Sequence, residues 1–181
     1  MSEVPIHVIH LDQDDPRKCT ARRLELKRLA LLHYDVRKAP RRGFLLDPNA
    51  TVILGPEDRG MIELGGALVA LDCSWKKIEE ALVSVERQTM LESRTLPLLL
   101  ASNPVSWGKP GRLSTAEALA ASLYLMGHKE QAVRVMSPFP FGDQFMELNK
   151  EPLNAYIEAQ SREELTELQW EFFDSSRSAD H

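Results

Sequence analysis

The sequence of 181 residues is poor in cysteine and has no long apolar run. Its two cysteines, Cys19 and Cys73, are too few for a disulfide framework, and neither has the spacing of a Cys-x-x-Cys or Cys/His zinc site. No apolar stretch approaches the roughly 18 residues of a membrane helix, and the N-terminus lacks the pattern of a secretory signal peptide. We therefore expect a soluble cytoplasmic protein with reduced thiols and no bound metal.

Common catalytic and nucleotide-binding motifs are also missing. The sequence contains no Gly-x-Gly-x-x-Gly, Walker loop, Gly-x-Ser-x-Gly or His-Glu-x-x-His pattern. The motifs therefore give no support to a P-loop NTPase, an α/β-hydrolase or a zinc protease. The histidines form neither a triad nor a metal-ligand spacing, so we interpret them as incidental; they are His7, His10, His33, His128 and His181.

Charge is unevenly distributed along the chain. The net charge is −5, yet residues 1–43 hold 10 of the 22 basic and only 6 of the 27 acidic residues. Such a segment could form a local phosphate-binding face, although charge alone favours a solvated helix surface followed by a basic loop. The candidate phosphate contacts are Lys18, Arg22, Arg23, Lys27 and Arg28.

Hydrophobic periodicity predicts an α/β protein, with strands and crossover helices through about residue 101 and helices only after it. The predicted strands cover residues 6–11, 44–46, 51–54, 67–71 and 96–101. The predicted helices cover residues 21–32, 56–63, 76–91, 114–126, 129–136, 143–159 and 162–173. Ser114-Thr115-Ala116-Glu117 is a capping box that begins one of these helices, and Gly127 ends it.

Two of the apolar runs end at a polar cluster that contains a tryptophan. Residues 67–71 precede Asp72-Cys73-Ser74-Trp75, and residues 96–101 precede a loop that contains Trp107. Buried parallel strands have such continuous apolar runs, and ligands in open α/β sheets bind beyond their carboxyl ends. The two runs therefore predict two walls of one pocket, with indoles able to stack on a base or face a sulfonium.

Several of these residues have a structural interpretation as well as a functional one. Asp72 could be a general base or bind a cation, but it could equally cap the following helix, and Trp75 could be part of the core. Ser114 is a helix cap whose neighbouring N–H groups could also bind a ligand, and Ala118 would permit close approach one turn later.

Four motifs in this order resemble one family. They are Asp-Pro-Arg-Lys-Cys-Thr at residues 15–20, Leu-Asp-Cys-Ser-Trp at 71–75, the run from Leu96 to Gly108, and Leu-Ser-Thr-Ala-Glu-Ala at 113–118. The family is the ribosomal RNA aminocarboxypropyltransferases, which use S-adenosylmethionine to modify a hypermodified pseudouridine of small-subunit rRNA. The similarity extends from about residue 6 to 159, and the short C-terminal tail resembles that of the archaeal members.

This resemblance implies a SPOUT-like fold. Residues 1–90 would form an α/β domain with a basic face, and residues 91–181 a trefoil-knotted, mainly helical domain that completes the S-adenosylmethionine pocket. The implied cofactor contacts are Thr20, Leu71, Leu99, Ser114 and Ala118, with Trp75 lining the methyl pocket. The sequence departs from the family at Trp107, where a tyrosine is usual, and at Phe141-Gly142-Asp143, where Trp-Gly-His is usual.

The implied reaction transfers the 3-amino-3-carboxypropyl group to N3 of a (N1-methyl)pseudouridine and releases methylthioadenosine. Asp72 would accept the N3 proton or stabilise the sulfonium, and Trp75 would hide the methyl group. The basic residues and Trp107 would contact RNA, either rRNA or a pre-ribosomal particle, and the protein would be a monomer without membrane contact. The alternatives are a SPOUT-type RNA methyltransferase and a non-catalytic rRNA-binding assembly factor.

Overall fold

The computed structural model describes residues 3–11, 20–72 and 78–173. Within these residues, five parallel strands form one sheet in the order β2-β1-β4-β3-β5. The strands are β1 (Ile6–His10), β2 (Leu31–His33), β3 (Gly43–Leu46), β4 (Ala67–Asp72) and β5 (Glu92–Arg94). The predicted α/β fold with a parallel sheet is thus confirmed, although β2 and β5 were not predicted.

The central strand β4 is apolar from Ala67 to Leu71 because it is covered on both faces. Leu68 and Ala70 lie in the larger core cluster, with Leu24 of the first helix, whereas Val69 and Leu71 lie in a second cluster with Leu82 and Val85. Alternate residues of a strand point to opposite faces, so a strand buried on both sides reads as a continuous apolar run.

Eight α-helices complete the described part of the chain. They are α1 (Thr20–Leu26), α2 (Arg59–Glu63), α3 (Ile78–Gln88), α4 (Thr115–Leu125), α5 (Lys129–Met136), α6 (Gly142–Leu148), α7 (Lys150–Glu158) and α8 (Arg162–Phe172). The predictions for α2, α4, α5 and α8 are confirmed to within a few residues. No described helix has the length and apolar character needed to span a membrane.

The predicted helix over residues 21–32 is wrong in its second half. Helix α1 ends at Leu26 because Arg28 adopts a positive φ of 58°. The Leu29 N–H donates to the Leu24 carbonyl at 2.8 Å and the Arg28 N–H to the Glu25 carbonyl at 2.9 Å, which is the Schellman pattern of a helix end. The apolar residues beyond it form the edge strand β2 instead.

The predicted strands over residues 51–54 and 96–101 are also wrong. The first contributes only one isolated bridge, between Ile53 and Thr95. The second is extended and largely buried and contributes one isolated bridge, between Leu100 and Pro110. The backbone of the 108–111 loop bonds Leu99 and Ala101, and side chains bond Leu98 and Leu100. The Asn149 side-chain amide accepts the Leu100 N–H at 2.7 Å and donates to the Leu100 carbonyl at 2.9 Å. The Tyr156 hydroxyl donates to the Leu98 carbonyl at 2.8 Å. Because these bonds come from side chains and a loop, the segment does not join the sheet as a strand.

Asn149 also interrupts the helix that we predicted over residues 143–159. Its backbone, at φ −105° and ψ 12°, separates α6 from α7. Its fully buried side chain bonds Leu100 and the Phe145 carbonyl. The break between the two helices thus places the Asn149 side-chain amide within hydrogen-bonding distance of the extended segment 96–101.

Candidate active site at the carboxyl edge of the sheet

A pocket of about 390 Å³ lies at the carboxyl edge of the sheet. One side is formed by the last residues of β4, 70–72, and by residues 46–48, at and just after the end of β3. The segment 94–98 follows β5 and forms a second side, and the start of α4, with residues 113–115, Gly111 and Ala118, forms a third. Thr20, at the start of α1, also lines it.

The pocket lies beside a topological switch point of the sheet. After β1 the chain crosses one face of the sheet, through α1, to β2, and after β4 it crosses the other face, through α3, to β5. The two crossovers therefore leave a crevice beyond the adjacent ends of β1 and β4, where open α/β sheets bind ligands.

Five of the predicted site residues line this pocket together: Thr20, Leu71, Asp72, Ser114 and Ala118. Leu99 is fully buried and is not among the lining residues; its carbonyl accepts the Gly111 N–H at 3.0 Å. Trp75 and Lys18 fall outside the described residues.

Asp72 is paired with a histidine that sequence reasoning treated as incidental. His10 and Asp72 end adjacent strands in register, and His10 Nδ1 lies 3.2 Å from Asp72 Oδ2. His10 is buried and its ring meets the Tyr34 ring edge-on, whereas Asp72 is partly exposed in the pocket. The His10 imidazole thus holds one oxygen of the Asp72 carboxylate at the carboxyl ends of β1 and β4.

The predicted capping box at α4 is confirmed and does more than begin the helix. The Ser114 hydroxyl accepts the Glu117 N–H, and Glu117 Oε1 accepts the Ser114 N–H at 2.9 Å. The same buried carboxylate accepts the Asn103 amide at 2.6 Å and the Ser102 N–H at 2.7 Å. Glu117 thus fastens the loop after the extended segment to the helix start that lines the pocket.

Arg94 lines the pocket on the far side of β3 and is held by buried groups. Its guanidinium lies 4.9 Å from the centre of the Phe44 ring and pairs with Asp58 at 3.1 Å. Asp58 is buried and also pairs with Arg162 at 2.8 Å, so it lies between two cations. This pairing fixes the end of β5 against α8.

Sequence reasoning missed one further carboxylate of the pocket. Asp47 follows Leu46 at the end of β3, lines the pocket and is 7% exposed. Its Oδ1 accepts the Asn49 N–H at 2.8 Å, and burial raises the pKa of its carboxyl, with the Glu86 charge acting in the same direction. Applied to residues 44–46, the rule that singled out Asp72, a polar residue just after a buried strand, would have found it.

The prediction that both tryptophans form walls of the pocket is not met by Trp107. Trp107 is 57% exposed, and the lining does not include the loop that holds it. The extended segment lines the pocket through residues 96–98 instead, so the part of this run that meets the cavity lies several residues earlier than the sequence suggested.

The basic side chains on and after α1 face solvent. Arg22, Arg23, Lys27 and Arg28 are all exposed, and Arg23 lies 5.9 Å from the centre of the Phe139 ring. Because α1 begins at the pocket residue Thr20, this face starts within one helical turn of the cavity. Among the described residues, no group of three or more His, Cys, Asp or Glu side chains could hold a metal ion.

The fold is that of a ribosome-biogenesis class of protein. A solved structure, that of the SAM-dependent rRNA:acp-transferase Tsr3 from Vulcanisaeta distributa, matches with a TM-score of 0.80 and 33% identity, covering 94% of this chain and 96% of that chain. Residues 44–173 match the family described as ribosome biogenesis protein, C-terminal. Residues 4–33 match a possible Fer4-like domain in RNase L inhibitor, but they hold only Cys19, whereas iron–sulfur clusters take four ligands.

Relatives in sequence identify the family within that class. The 16S rRNA aminocarboxypropyltransferase of Methanosarcina acetivorans is 43% identical over 92% of this chain and 93% of its own length. Those of Methanothermobacter thermautotrophicus and Halobacterium salinarum are 42% and 39% identical, over 92% and 94% of this chain and 97% of their own lengths. This chain belongs to the 16S rRNA aminocarboxypropyltransferase family, as the sequence motifs predicted.

Proposed function

We propose that this protein transfers the 3-amino-3-carboxypropyl group of S-adenosylmethionine to N3 of a (N1-methyl)pseudouridine in small-subunit rRNA and releases methylthioadenosine. Family membership supports the reaction type, because relatives of nearly equal length carry the name 16S rRNA aminocarboxypropyltransferase. The observation that carries the proposal is the pocket lined together by Thr20, Leu71, Asp72, Ser114 and Ala118.

The chemical step is a displacement at carbon. The pseudouridine N3 forms a bond to the γ-carbon of the methionyl chain, the bond from that carbon to sulfur breaks, and sulfur keeps the electron pair. The N3 proton must leave, and the sulfonium loses its positive charge. Asp72 can serve either need, since a carboxylate accepts a proton and also stabilises a nearby cation. His10 keeps that carboxylate oriented.

Orientation decides which of the three carbons on the sulfonium is attacked. A pocket that encloses the methyl group and presents the longer chain gives aminocarboxypropyl transfer, because only the correctly placed carbon reaches the nucleophile. We assign the enclosure of the methyl group to Trp75 from the family resemblance. Leu99 would contribute through its backbone, since its side chain is buried behind the pocket.

The RNA would approach over the basic face. Arg22, Arg23, Lys27 and Arg28 are exposed beside the pocket residue Thr20, and Lys18 precedes them in sequence. Contacts of this kind neutralise phosphates and release counterions, so affinity should fall steeply with salt. The exposed Trp107 would stack on an unpaired base.

We extend the proposal to the architecture implied by the family: a SPOUT-like fold with a trefoil knot after residue 90. Its support is the enclosure of the extended segment 96–101. Backbone groups of the 108–111 loop bond Leu99 and Ala101 on one side, and side chains of Asn149 and Tyr156 bond it on the other. Because one chain supplies every described side of the pocket, we also propose that the protein acts as a monomer. We keep the sequence-based expectations of a cytoplasmic location and no bound metal as part of the proposal.

Product analysis tests the reaction. The purified protein is incubated with S-adenosylmethionine and small-subunit rRNA isolated from a strain in which its gene is deleted. We expect methylthioadenosine and an rRNA mass gain of one aminocarboxypropyl group. S-adenosylhomocysteine would instead identify a methyltransferase, and RNA binding without either product would identify an assembly factor.

Variants of Asp72 test its role. Loss of a general base typically slows a reaction by about 100-fold to 10,000-fold, so D72A should show such a loss in single-turnover transfer with S-adenosylmethionine saturating. A full transfer rate with unchanged cofactor affinity in D72A would remove Asp72 from the mechanism.

Charge reversal tests the RNA face. R22E/R23E should bind rRNA weakly and with a shallower dependence on salt, while binding S-adenosylmethionine as the wild type does. The matched control is R87E, at the C-terminal end of α3 on the opposite face of the sheet. Equal RNA affinity and salt slope in R22E/R23E and wild type would move the footprint elsewhere.

A further inference from the structure

Asp47 is the one carboxylate of the described pocket lining, besides Asp72, and nothing in the reaction above uses it. It is 7% exposed, yet within the described residues only Oδ1 accepts a hydrogen bond, from the Asn49 N–H. The guanidinium of Arg94, another lining residue, donates two hydrogen bonds to the Asp58 carboxylate, at 3.1 and 3.3 Å. A buried carboxylate with one bond is costly unless another donor reaches it.

We propose that the Asp47 carboxylate accepts hydrogen bonds from the vicinal hydroxyls of the donor's ribose. Two hydroxyls on neighbouring carbons present two donors, which a carboxylate can accept together. The proposal rests on the proposed function in one respect: it takes the ligand to be S-adenosylmethionine with its reacting carbons at Asp72.

The order of the strands supports this placement. The sheet runs β4, β3, β5, so Asp47 lies between Asp72 at the end of β4 and the segment that follows β5. Continuing the register of β3 and β4, in which Leu45 pairs with Val69, brings Asp47 level with Leu71. Adjacent strands are about 4.8 Å apart, so neighbouring parts of one ligand can reach both carboxylates.

The chemistry of the pocket follows the same order. Beyond Asp47 the lining passes Arg94, whose guanidinium is paired with Asp58, and Thr95. It then becomes apolar, with Leu96, Pro97, Leu98 and Leu113, which suits a flat base. In S-adenosylmethionine the ribose lies between the adenine and the sulfonium. A ligand that places its sulfonium at Asp72 and its adenine against the apolar residues therefore places its ribose beside Asp47.

Burial makes a hydrogen-bond donor from a bound ligand favourable at Asp47. The raised pKa of Asp47 has desolvation as its largest cause, opposed only by the Asn49 N–H, and Glu86 adds a repulsive charge. Ribose hydroxyls bound in the pocket would satisfy the second oxygen without adding another charge. The carboxylate would thereby contribute to affinity for every ligand that keeps the diol.

Calorimetric titration with methylthioadenosine tests the proposal, since this product keeps the ribose and adenine but lacks the ammonium, the carboxylate and the sulfonium charge. The variants are D47A and D47N; the asparagine keeps an oxygen for the Asn49 N–H and so preserves the local turn. We expect D47A to bind methylthioadenosine about 10-fold to 100-fold more weakly, and D47N to lie between D47A and wild type. The matched control, D35N, changes an exposed carboxylate that caps a turn outside the pocket.

Deoxy forms of the same ligand identify the contact. Wild type should lose affinity for 2′-deoxy- and 3′-deoxy-methylthioadenosine, whereas D47A should bind these and the parent compound about equally. An undiminished deoxy penalty in D47A would overturn the proposal, as would weaker binding of S-adenosylmethionine with unchanged binding of methylthioadenosine, which would assign Asp47 to the ammonium. Release of S-adenosylhomocysteine by wild type would refute the proposed function and leave this binding comparison intact.

Discussion

Two buried carboxylates are bonded in opposite ways: Glu117, in the first turn of the helix α4 whose start lines the pocket, and Asp47, in the pocket lining itself. Glu117 is fully buried and accepts hydrogen bonds from Ser102, Asn103 and Ser114. Asp47 is almost as buried but accepts only the Asn49 N–H from the described residues. One carboxylate is therefore satisfied within the chain, and the other has an acceptor left over.

The difference separates a structural acid from a binding acid. A buried charge costs several kcal/mol unless hydrogen bonds or ions offset it. Where the chain itself supplies the donors, as around Glu117, removing the acid should damage the fold. Where it does not, as at Asp47, removing the acid should leave the fold intact or stabilise it, and should weaken ligand binding.

The largest expected effect is that of E117A on stability. The substitution leaves the Ser102 and Ser114 N–H groups and the Asn103 amide buried without their acceptor, so we expect the free energy of unfolding to fall by about 3–5 kcal/mol in urea titrations. The control E130A removes an exposed glutamate of α5 and should change stability by less than about 0.5 kcal/mol. A loss below about 1 kcal/mol in E117A would erase the contrast with Asp47.

A second saturated group, Asn149, sharpens the same contrast. Its buried amide bonds both backbone groups of Leu100 and the Phe145 carbonyl, so N149A should lose about 2–4 kcal/mol of unfolding free energy. Hydrogen exchange should show faster exchange at the Leu100 amide, because that N–H loses its acceptor. Unchanged protection of Leu100 would mean that this bond does not hold the extended segment.

Local signals in the sequence were enough for the central strand and the start of α4. The run that became β4 is apolar because both faces are covered, and Ser114 with Glu117 is a capping pattern that depends on four consecutive residues. Asp72, Ser114 and Ala118 were therefore singled out from these local signals, and they line one pocket together with Leu71, which the family resemblance implied.

The rest depended on contacts between distant residues. An apolar run such as 96–101 cannot be told from a strand when the groups that satisfy it, Asn149 and Tyr156, lie about 50 or more residues away. Likewise, the His10–Asp72 contact exists only because strands 62 residues apart pair in register. The assignment of Trp75 to a methyl pocket came from family resemblance, and Trp75 falls outside the described residues.

The expected effect of D47N on the ligand-free protein is smaller and opposite in sign to that of E117A. Because the folded-state pKa of Asp47 is raised, the folded protein binds more protons than the unfolded chain between the ordinary and the raised value, and stability falls as pH rises through that window. D47N should therefore raise the melting temperature at pH 7, by up to about 3 °C for a domain of this size, and lose this advantage in acid. A lower melting temperature at pH 7 would mean that Asp47 supports the fold as Glu117 does.

The smallest effect is expected from His7 and His33, a pair of titratable side chains on the sheet with the opposite dependence on pH. Their nitrogens lie 2.8 Å apart with the rings stacked, and burial lowers the pKa of both, with His33 acting on His7 and Lys38 on His33 in the same direction. Near and below pH 6.5 the unfolded chain then binds more protons than the folded protein, so stability should fall as pH falls. H33Q should reduce the difference in urea midpoint between pH 7.5 and 5.5, whereas H128Q, which changes a histidine remote from the pair, should not. Because His7 and His33 are only partly buried, this slope should be shallow; a slope unchanged in H33Q would assign the acid sensitivity to other groups.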